Sequence, residues 1–133
     1  MLIKEVCKKY NITADTLRYY EQVGAIPKVS RTSGGIRDFS EEDLKWVENA
    51  ICMRSAGVPV EMVSEYVRLF QLGDETFELR CNLLKDAREK VLEARKKYDD
   101  ALSRLNYKID KYEEACKTGV LIWNQETIKN TND

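Results

Sequence analysis

Residues 13–27 read Thr-Ala-Asp-Thr-Leu-Arg-Tyr-Tyr-Glu-Gln-Val-Gly-Ala-Ile-Pro, and both ends of this stretch carry signals for a short helix. Thr13 is a good N-cap residue, and Asp15 just inside it complements the positive end of a helix. Gly24 ends the helix, and Pro27 prevents its continuation. The stretch therefore predicts one short helix, around which the rest of the chain is arranged.

The two sides of this helix differ in chemistry. Leu17 faces the protein, and Val23 follows close behind it, whereas Arg18 and Tyr19 point to the other side. A guanidinium and a phenol on one outward face suit a nucleic-acid groove, where they bind phosphates and reach base edges. An ordinary surface helix with one basic residue is the alternative, and the neighbouring segments favour the nucleic-acid interpretation.

A second helical pattern lies just before this stretch. Its apolar residues have the spacing of one helical stripe: Ile3, Val6, Cys7 and Tyr10. This helix ends at Asn11, and a short turn leads into the helix that starts at Thr13. Two short helices joined so tightly have the proportions of a helix-turn-helix. Cys7 is interpreted as a small core residue.

A basic hairpin is predicted for residues 28–39. Two brief extended runs flank the turn Ser33-Gly34-Gly35, and they carry Lys28, Arg31 and Arg37. A hairpin directly after a helix-turn-helix is typical of a wing, which contacts the DNA backbone beside the recognition helix. A charged surface hairpin is the alternative.

The charge is distributed unevenly along the chain. The net charge is −1, but residues 1–37 carry seven Lys/Arg against three Asp/Glu, and residues 38–73 carry three against seven. Residues 74–117 balance at eleven of each. Because local charge governs phosphate binding, the positive first segment is compatible with a DNA-binding surface.

Several classes of protein are disfavoured by what the sequence lacks. No run of eighteen apolar residues is present, so no membrane span or membrane partner is expected, and a cytoplasmic protein is predicted. Histidine is absent, and there is no glycine-rich phosphate loop or carboxylate cluster with a partner base. These absences argue against an enzyme and predict no cofactor. A purely structural coiled-coil adaptor is a further class, against which the basic wing argues.

Two further helices are predicted after the hairpin. Ser40 caps the third, and Gly57 closes it. Its apolar arc comprises Leu44, Trp46, Val47, Ala50, Ile51 and Met53. Pro59 occupies the first position of the fourth helix, and Gly73 ends it. The apolar face of the fourth helix comprises Met62, Val63, Tyr66, Leu69 and Phe70.

A long uninterrupted helix is predicted from about Thr76 to Lys117, a stretch without Gly or Pro. Its apolar seam follows a heptad pattern, broken by Lys108, and comprises Leu84, Ala87, Val91, Ala94, Tyr98, Ala101, Leu105, Tyr112 and Ala115. Such a seam is expected to be buried against a second copy. The predicted domains are a head of residues 1–73, a dimerisation helix of residues 74–117 and a tail of residues 118–133. In the tail, the apolar residues 121–123 are expected to dock and the last residues to be loose.

This order of elements resembles that of the MerR family of bacterial transcription regulators. The resemblance rests on Thr16-Leu17-Arg18-Tyr19-Tyr20-Glu21 with Gly24-Ala25-Ile26-Pro27, and on Gly35-Ile36-Arg37-Asp38-Phe39 followed by Asp43-Leu44. It covers about residues 2–117. It implies a mainly α fold, with a winged helix-turn-helix head and an antiparallel coiled coil that joins a homodimer. The implied partner is double-stranded promoter DNA, which the dimer twists and bends so that RNA polymerase engages it; the polymerase is thus an indirect partner.

The resemblance also implies which residues contact DNA. They are Arg18, Tyr19 and Tyr20 in the recognition helix and Arg37 in the wing. The predicted DNA-binding set also includes Thr16, Lys28, Arg31 and Gly35. Ile36 departs from the family pattern, because family wings often carry tyrosine before this arginine. The pattern therefore predicts no aromatic contact to the DNA backbone at this position, although the arginine is present.

Three candidates for an inducer site stay open. The segment around Cys52 resembles the branch of the family that senses aldehydes, nitrosative stress or other electrophiles through one cysteine. A metal-responsive site of Cys81 and Cys116 is the second candidate, because antiparallel pairing would bring Cys81 of one chain near Cys116 of the other. The third is a small apolar ligand held by aromatic residues, namely Tyr66, Phe70, Trp123 or the seam tyrosines.

Overall fold

The structure is a computed structural model that describes residues 1–123. Within this range the chain forms five α-helices and a 3₁₀ turn at Asp74–Thr76. The helices are Ile3–Tyr10 (α1), Ala14–Val23 (α2), Glu41–Ser55 (α3), Val60–Leu72 (α4) and Phe77–Thr118 (α5). The chain divides into two compact units, one of Met1–Val91 and one that begins at Leu92. The predicted mainly α class, with a helix-turn-helix and a long helix, is confirmed. The predicted domain ranges stay predictions.

The limits of α1 and α2 follow from their cap residues. Asn11 ends α1 in the left-handed region, at φ 52°, and Gly24 ends α2 at φ 81°. Thr13 caps α2, because its Oγ1 accepts a hydrogen bond from the Thr16 N–H at 3.1 Å. The Thr16 hydroxyl lies 2.7 Å from the same oxygen, so it supports the start of the helix. The helix limits predicted for both elements are confirmed.

The first unit has one hydrophobic core, to which α1, α2, α3 and α4 all contribute. Its largest fully buried side chains are Val6, Leu17, Ile26, Val47, Val58 and Val63. Val23, expected on the protein side of α2, is exposed instead. It lies six residues after Leu17, about 240° around the helix, so the last turn carries it away from the core.

The wing contains less backbone pairing than the predicted hairpin. One antiparallel bridge joins Arg31 and Arg37 within the described chain. The turn between them is closed by a 2.8 Å hydrogen bond from the Thr32 N–H to the Ile36 carbonyl and a 2.9 Å bond from the Gly35 N–H to the Thr32 carbonyl. Gly35 has φ 84°, which explains the glycine at this position. The wing therefore depends on contacts with the rest of the unit.

The apolar face of α4 differs in part from the predicted one. Val63, Val67 and Leu69 are its buried residues, so Val67 was missed, and Phe70 is about half exposed. Phe70 packs edge-on against Trp46 of α3, with 4.9 Å between the ring centroids. The Arg80 guanidinium carbon lies 5.3 Å from the Phe70 centroid and so shields the ring. This cover explains how an aromatic residue near the end of α4 stays outside the core.

The seam of α5 is divided between two environments. Ala87 is 5% exposed within the core of its own unit, and Val91 packs against that core. The expectation that a second copy covers the whole seam is therefore wrong at these two positions, because the first four helices already cover them. Further along, Tyr98 is 72% exposed, and Leu105 and Tyr112 are also exposed. Leu84, which precedes Ala87 and Val91 in the seam, is exposed as well.

The segment after α5 packs back against α5 through the side chain of Trp123. The Trp123 ring centroid lies 5.9 Å from those of both Tyr107 and Tyr112. Leu121 and Ile122 are exposed, so the predicted docking of the apolar trio is confirmed for Trp123 alone. The predicted loose end, from residue 124 on, lies outside the described residues. None of the described helices has the length and apolar character required to cross a membrane.

We predict that Leu17→Ala lowers the free energy of unfolding by about 3 kcal/mol, because it empties a fully buried site between α2 and the core. Chemical denaturation followed by circular dichroism at one protein concentration measures the change. Leu79→Ala is the matched control, since the Leu79 side chain is mostly exposed. Equal losses in the two variants would contradict the core position of Leu17.

Candidate nucleic-acid interface

The outward face of α2 carries one cation and one phenol. Arg18 is exposed, and its Nη1 lies 3.1 Å from Oδ1 of Asp15 one turn earlier. Tyr19 is also exposed. Tyr20 is 8% exposed and belongs to the core, so it packs α2 against the unit instead of sharing the outward face. Arg18 and Tyr19 are therefore at the surface, whereas Tyr20, whose ring centroid lies 6.3 Å from that of Tyr19, is in the core.

The wing places three further cations beside α2. Arg31 donates from Nη1 to the Gly35 carbonyl at 2.8 Å, which fixes its guanidinium across the turn. Arg37 donates from Nε to Oε1 of Glu21 at 2.7 Å and is half-buried. Lys28 is exposed at the start of the wing. The basic residues predicted in the wing therefore lie on it, two of them held by hydrogen bonds.

An open concavity of about 780 Å³ separates α2 from the wing. It is lined by Arg18, Glu21, Gln22, Lys28, Val29, Arg31 and Arg37. A second concavity, of about 390 Å³, shares the three arginines and adds Lys4 and the apolar residues Leu2, Ile3 and Ile36. Both surfaces combine several cations with at most one carboxylate. Such a surface favours a polyanion with the width of a nucleic-acid backbone.

Glu21 is the carboxylate of the first concavity, and it joins α2 to the wing. Its Oε2 accepts the Val29 N–H at 2.7 Å, its Oε1 accepts Arg37, and Nη2 of Arg31 lies 4.0 Å away. Burial alone would raise the pKa of Glu21. The bonds from Val29 and Arg37, with the charges of Arg37 and Arg31, hold the pKa below its usual value. Glu21 is therefore a charged anchor.

A second carboxylate holds the next residue of the wing. Asp43 of α3 accepts the N–H of Ser30 at 3.1 Å and that of Ser40 at 2.9 Å. Burial favours a higher pKa for Asp43, and hydrogen bonds from Ser40 and Ser30 outweigh it and lower the pKa. The successive amides of Val29 and Ser30 are thus bound by side chains of two different helices.

The candidate sensor thiols lie at the surface. Cys52, Cys81 and Cys116 are exposed, and Cys7 is half-buried against the core, as predicted. No group of three or more metal-ligating side chains occurs within residues 1–123. Cys52 lies in the last turn of α3.

A surface hydrogen bond connects α3 to α1 one turn before Cys52. The Tyr10 hydroxyl donates to Oε1 of Glu48 at 2.8 Å. Burial, with the hydrogen bond and negative charge of Glu48, raises the pKa of Tyr10 to about 12. The phenol is therefore a stable donor at any physiological pH, and the contact ties α3 to the first helix of the helix-turn-helix.

Residues 1–69 match the family model for the MerR HTH family regulatory protein. The chain belongs to the MerR family. The match spans α1 to α3, the wing and all but the last three residues of α4, so it contains every residue that lines the two basic concavities. As a MerR-family member, the chain is a DNA-binding transcriptional regulator and not an enzyme.

Relatives and solved structures agree with this assignment. The chain is similar to the HTH-type transcriptional regulator AdhR of Bacillus subtilis, at 52% identity over 93 residues, which are 70% of this chain and 66% of AdhR. A MerR family regulator from Listeria monocytogenes has a TM-score of 0.82 at 38% identity, covering 99% of this chain and 96% of the other. HiNmlR, a MerR family regulator lacking the sensor domain and bound to promoter DNA, has a TM-score of 0.77 at 28% identity, covering 90% and 95%.

Within this MerR-family surface, sequence reasoning missed the carboxylates that hold it together. Glu21 lies four residues after Leu17 and so faces inward, which is an unusual place for a charged residue. That signal was available in the sequence. The pairing of Tyr10 with Glu48 could not be predicted, because nothing in either segment indicates that α1 and α3 are in contact.

Proposed function

We propose that this MerR-family chain acts as a homodimer that binds promoter DNA, distorts it, and responds to aldehydes and related electrophiles through Cys52. The observation that carries the DNA-binding part is the convergence of Arg18, Arg31 and Arg37 on one open surface between α2 and the wing. The similarity to a regulator bound to promoter DNA supports DNA binding by this chain.

The two elements have different tasks in this proposal. Arg18 and Tyr19 of α2 enter the major groove, where an arginine reads guanine edges and a phenol binds phosphate. The wing cations Lys28, Arg31 and Arg37 bind the adjoining backbone. Tyr20 is left out of the proposed contacts because it is buried, and Thr16 and Gly35 act through the geometry of the helix start and the turn.

The alternation of large and small residues along the α5 seam, from Ala94 onward, supports antiparallel pairing of two copies. One seam position carries large residues, and the alternating position carries small ones. The large residues are Tyr98, Leu105 and Tyr112, and the small ones are Ala94, Ala101 and Ala115. In a parallel pair identical residues face each other, so tyrosine meets tyrosine and alanine meets alanine. Antiparallel layers set a large residue against a small one and pack more evenly.

A dimer with two separated heads suits DNA distortion. Two identical modules contact two half-sites, and their spacing is fixed by the pairing of the α5 helices. Bending or twisting a site costs several kcal/mol, to be offset by these paired contacts. RNA polymerase then responds to the altered DNA, which makes it an indirect partner.

Cys52 is the proposed sensor. Its thiol is exposed on α3, one turn after Glu48, which Tyr10 of α1 holds. With an aldehyde, the sulfur adds to the carbonyl carbon and the thiol proton passes to the carbonyl oxygen, giving a hemithioacetal. An adduct there perturbs the last turn of α3, and the contact between Tyr10 and Glu48 passes the change to the helix-turn-helix.

A metal-responsive site is the second candidate. Cys81 and Cys116 are both exposed on α5, and antiparallel pairing sets Cys81 of one copy near Cys116 of the other. Two thiolates would suit a soft metal ion. For an apolar ligand, the aromatic residues offer less support, because Tyr66 and Phe70 pack on Trp46 and Trp123 packs on tyrosines.

We predict that Arg18→Ala and Arg37→Ala each weaken DNA binding by about 1–3 kcal/mol. If Arg18 reads a base, its loss acts on the specific site alone; if it binds phosphate, its loss acts on all DNA equally. Gel shifts with a duplex selected by the wild-type protein from a random pool measure the change. Lys96→Ala, on the face of α5 opposite the seam, is the charge-matched control. Unchanged binding in both arginine variants would contradict the proposed interface.

A further inference from the structure

A largely buried carboxylate of the recognition helix binds the wing. The Glu21 side chain is 11% exposed. It binds the first arm of the wing through the Val29 N–H and the second arm through the Arg37 guanidinium. It lies on α2 four residues after Leu17, so the helix itself turns the carboxylate inward. A charge in this position contributes to stability only when it is fully paired, and here both oxygens accept hydrogen bonds.

The base of the wing is held by other contacts as well: Asp43 of α3 accepts the Ser30 N–H, and Val29 and Phe39 are buried in the core. The wing's own backbone pairing is short: on either side of the bridge between Arg31 and Arg37 lie one bond from the Thr32 N–H to the Ile36 carbonyl, at 2.8 Å, and one from the Asp38 N–H to the Ser30 carbonyl, at 2.7 Å. An isolated two-stranded ribbon is marginal in water. The position of the wing relative to α2 therefore depends on side-chain contacts, and the contact from Glu21 reaches the guanidinium at one end of that bridge.

The same contact orients the guanidinium of Arg37. Its Nε is committed to Glu21, and a guanidinium is a rigid plane, so the four N–H donors on its two Nη atoms have a fixed direction. Arg37 is half-buried and lines both basic concavities. The Arg37 guanidinium is therefore already ordered before DNA binds, which lowers the entropic cost of binding a phosphate.

We infer that Glu21 is a positioning residue of the DNA interface: its carboxylate holds the wing against the recognition helix and fixes Arg37 for a phosphate. This inference rests on the proposed DNA-binding function. According to this inference, a negatively charged side chain that lies among the cations of a DNA-binding surface increases DNA affinity.

The sign of the effect separates this role from simple electrostatics. A carboxylate near phosphates repels them, so neutralising it should strengthen binding if nothing else changes. If Glu21 instead positions the wing and Arg37, neutralising it should weaken DNA binding. The same helix offers a matched control in Asp15, which pairs with Arg18 at 3.1 Å but is 97% exposed. An exposed pair fixes little, so Asp15→Asn frees Arg18 and should leave binding unchanged or tighter.

The experiment compares Glu21→Gln and Asp15→Asn in the wild-type and Arg37→Ala backgrounds. Glutamine keeps the acceptor for the Val29 N–H and removes the charge. Fluorescence anisotropy with a duplex selected by the wild-type protein is measured over a range of salt concentrations. We expect Glu21→Gln to weaken binding about tenfold and to reduce the salt slope by about one. In the Arg37→Ala background, the further loss should fall to about twofold or less.

Two results would overturn the inference. One is Glu21→Gln binding as tightly as wild type or more tightly, and the other is a loss of the same size in both backgrounds, which would indicate a general effect on folding. Should Glu21→Gln not fold, Glu21→Asp replaces it with the same readouts, because it keeps the charge but withdraws the carboxylate from the wing. Failure of the wild-type protein to select any duplex would refute the proposed function itself, independently of Glu21.

Discussion

Leu105→Asp is expected to convert the protein from a dimer to a monomer of 15.5 kDa and to reduce its affinity for a two-half-site duplex about a hundredfold or more. Leu105 is exposed in the single chain, on the part of the α5 seam that the first unit does not cover. A carboxylate there would face the apolar seam of the second copy without a partner. Loss of the dimer removes the second head, and each remaining head binds alone.

Sedimentation velocity gives the mass, and anisotropy with one-half-site and two-half-site duplexes gives the affinity. Ser103→Asp is the matched control, because it adds the same charge two residues away on the opposite face of α5. It should leave both measurements unchanged. If Leu105→Asp weakened binding to both duplexes equally, the substitution would act on the DNA-binding head and not on dimerisation. A monomeric wild-type protein would refute the dimer.

The helices were predictable because their ends are determined locally. Thr13 and Ser40 cap helices through their own hydroxyls, and Gly24 and Gly73 end them with backbone angles that other residues rarely adopt. The first and last residues of α5 lie within one position of the predicted limits. Signals of this kind do not depend on what the helix packs against, so the sequence alone is sufficient for them.

The partners of each helix face were less predictable. A heptad pattern shows that Ala87 must be buried but not whether its own unit or a second copy buries it. Tyr20 was included with Arg18 and Tyr19 because the resemblance to the MerR family places all three at recognition-helix positions that contact DNA. Adjacent residues in a helix are 100° apart, however, and Tyr20 falls on the core side.

The basic surface shows the same division between local and tertiary information. Arg31 and Arg37 were predicted from composition and from their position after the helix-turn-helix. Their fixed orientation comes from Glu21, which is ten or more residues away in sequence. Sequence patterns therefore identified the groups that could meet a phosphate, whereas the contacts that hold those groups in place required the fold.

Cys52→Ser is expected to abolish the transcriptional response to formaldehyde or methylglyoxal while dimerisation and DNA affinity stay within about twofold of wild type. The thiol is exposed, so its replacement by a hydroxyl of similar size disturbs no packed contact. Mass spectrometry should find one aldehyde adduct per chain in the wild-type protein under conditions that modify no residue in the variant. A reporter gene driven by the selected duplex gives the response.

Tyr10→Phe tests the proposed path from the thiol to the DNA-binding unit. It removes the hydrogen bond to Glu48 and leaves the ring, so Cys52 should still be modified while the response weakens.

The metal alternative predicts the reverse pattern for the cysteines: Cys81→Ser and Cys116→Ser lose a response to a soft metal ion, and Cys52→Ser retains it. If all three serine variants respond normally to both inducer classes, neither thiol site is the sensor. An apolar ligand would then be the remaining candidate, because it needs no thiol for its recognition.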